Sequence, residues 1–445
     1  MKQTHSDNKV RSTTSNGMKT NKTAFLLVFA LILGVSGVAN AASEDTRYLV
    51  KSHSGFWKKS FSIRHEFGEG FTADLSDWQL RIARVFGVEV VPVKKLNILP
   101  AETLLVSPAS PRQVEAGPKP PAERESVVVA EPVDDISGLK SRPTPSPSVR
   151  PTPSVQLPWG VEAVYNNDPL LASTSGGFDV NVAVLDTGVL TSHLDLKNRV
   201  KQCKDFTAAK QPITDGKCED KNGHGTHVAG IIAADGGADG LGIYGVAPQA
   251  NIFAYKVCGN NGSCWSDDIA IAIRTAADQG ANVINMSLGS DSESSLIKDA
   301  ISYAVTKDVL VVAAAGNDGP DIGSIDYPGA NPDVVVVGAF DVALDIAEWS
   351  SRGINSTTTP YVVEEGDVEF AAPGVIIEST WKDGGYVILS GTSMSAPHIA
   401  GLAAKLWQKD ALDPDSATRK LLHTFSQDLL PVGDDDASGF GFPHL

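Results

Sequence analysis

Three short segments of this 445-residue chain carry the residue types needed to break an acyl bond. VAVLDTGV brings Asp186, NGHGTHVAG brings His224, and SGTSMSAPH brings Ser393. A serine hydroxyl is a poor nucleophile at neutral pH and needs a base within hydrogen-bond reach. An imidazole can be that base if a carboxylate holds its other nitrogen, fixing the tautomer and stabilising the imidazolium. Taken singly, each residue has a plainer reading. An aspartate after a strand is ordinarily a turn residue or cap, a lone histidine is ordinarily structural, and a serine before a helix is ordinarily an N-cap. Together, in the order Asp, His, Ser, they point to nucleophilic catalysis.

The elements that must position these residues are also legible. Near-continuous apolar runs at 180–185, 252–257, 283–286, 309–314 and 334–338 read as strands. Amphipathic stretches at 224–234, 265–279, 296–307 and 393–408 read as helices between and after them. Strands of that kind alternating with helices predict an α/β fold with a parallel sheet covered on both faces. Active sites of such sheets gather at the carboxyl ends of the strands. Asp186 falls just past a strand. His224 and Ser393 each open a helix, where the helix dipole favours developing negative charge.

The three motifs resemble those of the subtilisin family of serine proteases (subtilases), and the likeness extends over most of 157–445. The resemblance implies a three-layer subtilisin-like α/β fold with a mostly parallel central sheet. It implies Asp186 as the orienting carboxylate, His224 as general base and acid, and Ser393 as nucleophile of an acyl-enzyme. His227, the second histidine of the motif, is implied to be structural; a metal-binding H-x-x-H is the alternative. VVAAAGNDG implies that Asn317 supplies one oxyanion donor and the Ser393 backbone N–H another. Asn261-Gly262-Ser263 and Ser287-Leu288-Gly289 resemble the two edges that bracket an extended peptide, with main-chain hydrogen bonds giving affinity and pockets giving selectivity. Asp326, in GSIDYP, falls where relatives form the floor of the pocket for the side chain preceding the scissile bond. A carboxylate there would favour Arg or Lys, unless it points away or caps the turn. Structural calcium is a further implication. Asp195 and Asp239 would supply carboxylates, the Leu241 and Ile243 region carbonyls, and Gln156 stands one residue off the usual register. No organic cofactor is implied. Three features depart from familiar members: a Cys258–Cys264 bridge at the peptide edge, the acidic stretch 354–369 and the early stop of SGFGFPHL.

Composition frames these readings. The chain is 42% apolar and 20% charged with a net charge of −16, enough apolar sequence for a large core. Residues 1–155 carry 20 Lys/Arg against 15 Asp/Glu, and residues 156–445 carry 17 against 38. So acidic a main domain argues against nucleic acid as a partner. An apolar run at 24–39 followed by Ala39-Asn40-Ala41 reads as a secretory signal ending at 41, with Met18 a possible start; an uncleaved anchor is the alternative. Without a later spanning stretch, the mature protein is expected to be secreted, free of the membrane and monomeric. The stretch 42–98 is short and mixed, with strands expected at 48–50, 60–63 and 88–93 and a helix around Trp78, Ile82 and Val85. It is expected to be a small α+β prodomain that occupies the cleft until removed. Twelve prolines between 99 and 155 predict an extended spacer, and the catalytic domain is expected at 156–445. Four cysteines allow three pairings; the local one, Cys203–Cys218 with Cys258–Cys264, is expected, with crossed pairs or free thiols as alternatives, and their spacing is poor for zinc.

The function these features favour is a secreted serine endopeptidase made as a zymogen, acting on proteins and peptides. A catalytically inactive binding or scaffold protein on the same fold would have lost a triad or oxyanion residue, and none is lost. An esterase on another α/β fold would carry G-x-S-x-G and a different residue order.

Overall fold

The computed structural model describes residues 46–99, 148–166, 175–209, 212–355, 362–429 and 433–445. The expected signal segment and most of the Pro-rich stretch lie outside these residues. The described chain forms two compact units that part between Pro92 and Val93.

In the first unit, β1 (Arg47–Lys51), β2 (Ile63–Phe67), β3 (Gly70–Asp74) and β4 (Glu89–Pro92) form one sheet in the order β2-β3-β1-β4. Helices α1 (Gly55–Ser60) and α2 (Asp77–Val85) complete it. Trp57, Phe61, Phe71 and Leu80 make its core. The expected strand at 60–63 is instead the end of α1 and the turn into β2. Ser54 caps that helix by accepting from Phe56 N–H, and Trp57 and Phe61 stack one helical turn apart at 5.3 Å, a spacing that mimics a strand only in its apolar content. Helix α2 is legible from its capping box: Ser76 and Gln79 exchange side-chain bonds with each other's backbone.

The second unit begins with strand β5 (Lys95–Ile98) and helix α3 (Trp159–Val164). Its centre is an eight-stranded sheet. The strands are β6 (Asn181–Asp186), β7 (Val200–Asp205), β8 (Thr214–Asp215), β9 (Asn251–Lys256), β11 (Val283–Met286), β13 (Leu310–Ala314), β14 (Val334–Phe340) and β15 (Phe370–Pro373). Their order is β15-β14-β13-β11-β6-β9-β7-β8. Every pair is parallel except β7 with β8. The interior strands are buried along their length, which is why they read as unbroken apolar runs. Helices α4 (His224–Ala233) and α7 (Thr392–Lys405) pack on one another and against the sheet. Helices α5 (Ser266–Asp278) and α6 (Ser295–Val305) form the other layer, and α8 (Pro414–Thr424) packs on α7. This is the predicted three-layer α/β arrangement. Two short strands, β10 (Ser263–Trp265) and β12 (Leu288–Gly289), lie outside the central sheet. The hairpin β16 (Ile377–Thr380) and β17 (Tyr386–Leu389) packs against α4.

Residues 148–155, within the Pro-rich stretch, belong to this unit. Arg150 exchanges backbone hydrogen bonds with Tyr386 and pairs with Glu378. Both disulfides are the local ones, Cys203–Cys218 and Cys258–Cys264.

Candidate active site

The carboxyl end of β6 delivers Asp186 into the interior, where it is fully buried. His224 opens α4 after Gly223, whose φ of 114° lies in the region that only glycine adopts freely. His224 Nδ1 lies 2.9 Å from each Asp186 carboxylate oxygen. Nδ1 therefore carries the proton and Nε2 is the bare nitrogen, which is buried and without a partner. Burial alone would lower the His224 pKa, but the charge and hydrogen bond of Asp186, helped by Asp220, outweigh it and leave the pKa raised.

Ser393 is the second residue of α7. Its Oγ donates to the Ser287 carbonyl at 3.3 Å rather than to His224, while Ser287 Oγ donates to the Ser393 carbonyl at 2.9 Å. The serine thus rests against the backbone between β11 and β12. Asn317 follows β13 on the loop facing the start of α7. Its Oδ1 accepts from Thr392 N–H at 3.0 Å and from Thr392 Oγ1 at 2.9 Å. This anchoring directs the amide nitrogen away from Thr392. His227 is a framework residue: Nε2 donates to the Ile377 and Val387 carbonyls, and burial first, then His224, pushes its pKa down to about 3.

One residue absent from the sequence reading organises the site. Asp220 is buried and accepts from Thr187 Oγ1, Asn222 N–H, Gly223 N–H, Thr226 N–H and Thr226 Oγ1. It satisfies the orphan donors at the head of α4 and ties that helix to the residue after Asp186. The signal available was an aspartate three residues before the helix's N-cap glycine, which reads equally well as a solvated turn.

The predicted peptide edges frame a groove, and the groove is filled. Strand β5 lies between β10 and β12 and is antiparallel to both. Asn97 is opposite Ser263 on one side and Gly289 on the other, and Ile98 is opposite Leu288. Ile98 N–H donates to Gly262 carbonyl at 2.9 Å. A side chain on Gly262 would run into Ile98, with its Cβ 2.6 Å from Cγ1. Leu96 is buried over a recess that includes Ile297, Ile301, Tyr327 and Pro328. Cys264 pairs with Leu96 across the ladder, so the Cys258–Cys264 bridge closes the loop that forms this edge.

Of the predicted cation ligands, Asp195 and Asp239 are near one another. Asp195 is fully buried; its Oδ2 accepts from Ile243 N–H at 3.0 Å and Tyr386 hydroxyl at 2.9 Å, and its Oδ1 has no partner. A Cβ placed on Gly237 would meet Asp195 Oδ1 at 2.8 Å and Asp239 Oδ1 at 3.0 Å, so both oxygens border one small hollow. Gln156 reaches the same loop through the Gly240 carbonyl. Leu241 lies on that loop, whereas the Ile243 carbonyl is engaged by Gly236 N–H. An all-oxygen hollow with an orphaned buried carboxylate oxygen fits a hard cation such as calcium.

An aspartate-oriented imidazole beside a helix-borne serine, below a groove built to hold an extended strand, defines a serine-nucleophile hydrolase acting on peptide chains. The profile of the Subtilase family matches residues 177–441, and the chain belongs to that family as a serine endopeptidase. The chain is 51% identical over 306 residues to the subtilisin of Bacillus sp. strain TA39, covering 65% of this chain and 72% of that protein. It is 37% identical over 287 residues to subtilisin DY of Bacillus licheniformis, covering 64% of this chain and 96% of that one. Among solved structures it is similar to the S41 psychrophilic protease, with 52% identity and a TM-score of 0.62, covering 66% of this chain and 99% of that one. Sphericase is similar at 50% identity and a TM-score of 0.63, with the same coverage.

Proposed function

We propose that this chain is made as a secreted zymogen whose second unit hydrolyses peptide bonds through an acyl-enzyme on Ser393. The observation that carries the reading is the bidentate approach of His224 Nδ1 to Asp186, which leaves Nε2 bare beside the Ser393 helix. In the reaction, Ser393 Oγ gives its proton to His224 Nε2 as the oxygen bonds to the substrate carbonyl carbon. Asp186 stabilises the resulting imidazolium. The Asn317 amide nitrogen and the Ser393 backbone N–H receive the oxyanion. His224 then returns the proton to the leaving amine as the C–N bond breaks. Water repeats the sequence on the ester and restores Ser393.

Strand β5 supports both the substrate class and the zymogen. It is held as the middle strand of three, the manner in which an extended polypeptide of any sequence would be held. As part of the same chain upstream of the catalytic residues, it excludes other substrates while it stays. Calcium at Asp195 and Asp239 would supply charge neutralisation to their loop and take no part in bond cleavage. Secretion is supported by the leader sequence, the two disulfides and the Bacillus subtilisins among the relatives. Among the described residues no helix is long and apolar enough to cross a membrane.

The test is to express the wild type and Ser393→Ala with a signal-competent leader, follow the N-terminus of the exported protein, and react each with a fluorophosphonate. Wild type should lose the chain up to and including β5 and label at Ser393, whereas the variant should retain it and stay unlabelled. Identical processing in both would remove self-maturation. Absence of labelling in processed wild type would remove Ser393 as nucleophile.

A further inference from the structure

Residues 148–155 precede everything that the bond-breaking chemistry uses, yet the hairpin β16–β17 is shaped around them. Arg150 N–H donates to the Tyr386 carbonyl at 2.9 Å, and Tyr386 N–H donates to the Arg150 carbonyl at 2.8 Å, which covers the free edge of β17. Glu378 of β16 is only 6% exposed. Among the described residues every hydrogen bond to its carboxylate comes from this segment: Ser154 N–H donates at 2.9 Å, Ser154 Oγ at 3.1 Å and Arg150 Nη1 at 3.3 Å. Gly385 bears the same imprint. A Cβ there would stand 2.4 Å from the Arg150 carbonyl oxygen and 2.9 Å from Val149 Cγ1, its nearest neighbours. The Gly385 backbone lies outside the left-handed region, so it is this segment that excludes a side chain.

These contacts lead to the cation hollow from two sides. Tyr386, paired with Arg150, sends its hydroxyl to Asp195 Oδ2, and His193 Nε2 donates to the Gly385 carbonyl at 3.1 Å. At the other end of the segment, the Gln156 carbonyl accepts from Tyr244 N–H at 2.8 Å, and its side chain donates to the Gly240 carbonyl. The hairpin in turn backs helix α4. Ser379 Oγ donates to the His227 carbonyl and Thr380 Oγ1 to the Thr226 carbonyl, both at 2.7 Å.

We infer that residues 148–155 are a strap kept by the mature enzyme, that self-cleavage stops short of Ser148, and that the strap holds the cation hollow and the back of α4 in shape. The inference rests on the maturation reading above and fixes how far that maturation runs. A departing strap would strand Glu378, a buried carboxylate with its donors gone, which costs far more than an exposed pair contributes. It would also bare the N–H and carbonyl of Tyr386 on a strand edge. Residues already paired with β17 are poor substrates as well. The cleft between β10 and β12 takes both edges of an extended chain, and a strand bonded elsewhere cannot offer them. The working domain thus starts ahead of residue 156, where the sequence alone placed it.

The experiment takes full-length wild type, Gly385→Ala and Glu378→Gln and lets each mature. Each is sequenced from its N-terminus, inactivated at Ser393 with a fluorophosphonate, and melted across a calcium–EGTA series. Wild type should begin at Ser148 or earlier. Gly385→Ala, whose new methyl meets the strap, should melt about 5 °C lower and lose the strap to further trimming. It should also need about 3- to 10-fold more calcium to reach half of its calcium-dependent gain in melting temperature. Glu378→Gln keeps the shape and drops the charge; it should shift the same way by less, and it carries the test if Gly385→Ala does not fold. In a chain lacking residues 148–153, Gly385→Ala should have no further effect. A mature wild type that begins after Arg150, with Gly385→Ala melting like wild type, overturns the inference. So does an alanine effect that persists without the strap, since it would arise in the hairpin itself. Melting that ignores calcium, or a calcium demand equal in all three proteins, overturns the link to the hollow. Ser393→Ala separates this inference from the reading beneath it. If that variant is trimmed to the same N-terminus as wild type, at or before Ser148, self-maturation falls and the strap stands. If wild type alone is trimmed, and to a point beyond Arg150, self-maturation stands and the strap falls.

Discussion

Replacing Asp220 should injure stability and catalysis together, through a residue that touches neither substrate nor reacting atoms. Its Oδ1 accepts from Thr187 Oγ1 at 3.0 Å, Asn222 N–H at 3.0 Å and Gly223 N–H at 2.8 Å. Its Oδ2 accepts from Thr226 N–H at 2.9 Å and Thr226 Oγ1 at 2.6 Å. In Asp220→Asn the Oδ1 set survives, but an NH2 group confronts the Thr226 donors. The hydroxyl can rotate away; the backbone N–H cannot. One bond to a charged acceptor is lost, worth about 1.5–3 kcal/mol, and the variant should be less stable by about 2 kcal/mol. Asp220→Ala strips the Asn222, Gly223 and Thr226 N–H groups of their acceptor and leaves a cavity, so about 3–5 kcal/mol is expected. At roughly 2–3 °C per kcal/mol for a domain of this size, the melting temperature should fall by about 5 °C and about 10 °C. Melting is followed by circular dichroism in a Ser393→Ala background, which prevents self-digestion. In the active background the acid limb of kcat/KM should also move. Asp220 adds to the negative field that raises the His224 pKa, and the base must be neutral to accept a proton. Removing that charge lowers the pKa, so activity should persist to lower pH. An Asp220→Asn enzyme with an unchanged melting temperature and an unchanged acid limb would refute the reasoning.

Two further outcomes follow from geometry already described. Asn317→Leu should reduce turnover by about 10²–10³ with little change in KM, the range established for loss of this donor in a subtilisin; equal turnover in the two enzymes would remove Asn317 from the oxyanion site. Chelation by EGTA should lower the melting temperature of the wild type, and Asp195→Asn should abolish that response; a chelator-insensitive wild type would leave the Asp195 hollow without a cation.

How much could be read in advance depended on whether a residue's own type revealed its surroundings. β6, β9, β11, β13 and β14 were legible because strands buried on both faces carry unbroken apolar runs. The last two strands at one end of the sheet, β7 and β8, were not, since VKQCKD and TD lie partly in solvent and keep polar side chains. Asp186, His224 and Ser393 stood out by motif, and the structure joins the first two directly. The resting bond from Ser393 to Ser287 depends on a rotamer, which sequence does not encode. Asp220 stayed hidden because its five donors are mainly backbone groups and threonine hydroxyls, none of them distinctive. Strand β5 escaped because its short Lys-Leu-Asn-Ile segment is a strand only by virtue of the two neighbours that flank it.

The order of strands in the central sheet carries a consequence for how the molecule comes into being. β6 pairs with β9 on one side and β11 on the other, and β13 bridges β11 to β14. Each pairing crosses a long stretch of intervening chain, so loop-closure entropy is spent before contacts repay it, and folding is slow. Asp186 and His224 can meet once β6, β9 and α4 exist, but Ser393 arrives only after four further strands of the central sheet have emerged. A growing chain therefore holds Asp186 and His224 well before Ser393 joins them. The cost of that delay falls on LVVAA of β13 and VVVVGAF of β14, which remain exposed as they wait for α7 to cover them. These are the segments most prone to pair with another unfinished copy, and slow synthesis or low temperature, which weakens apolar association, should lessen that hazard.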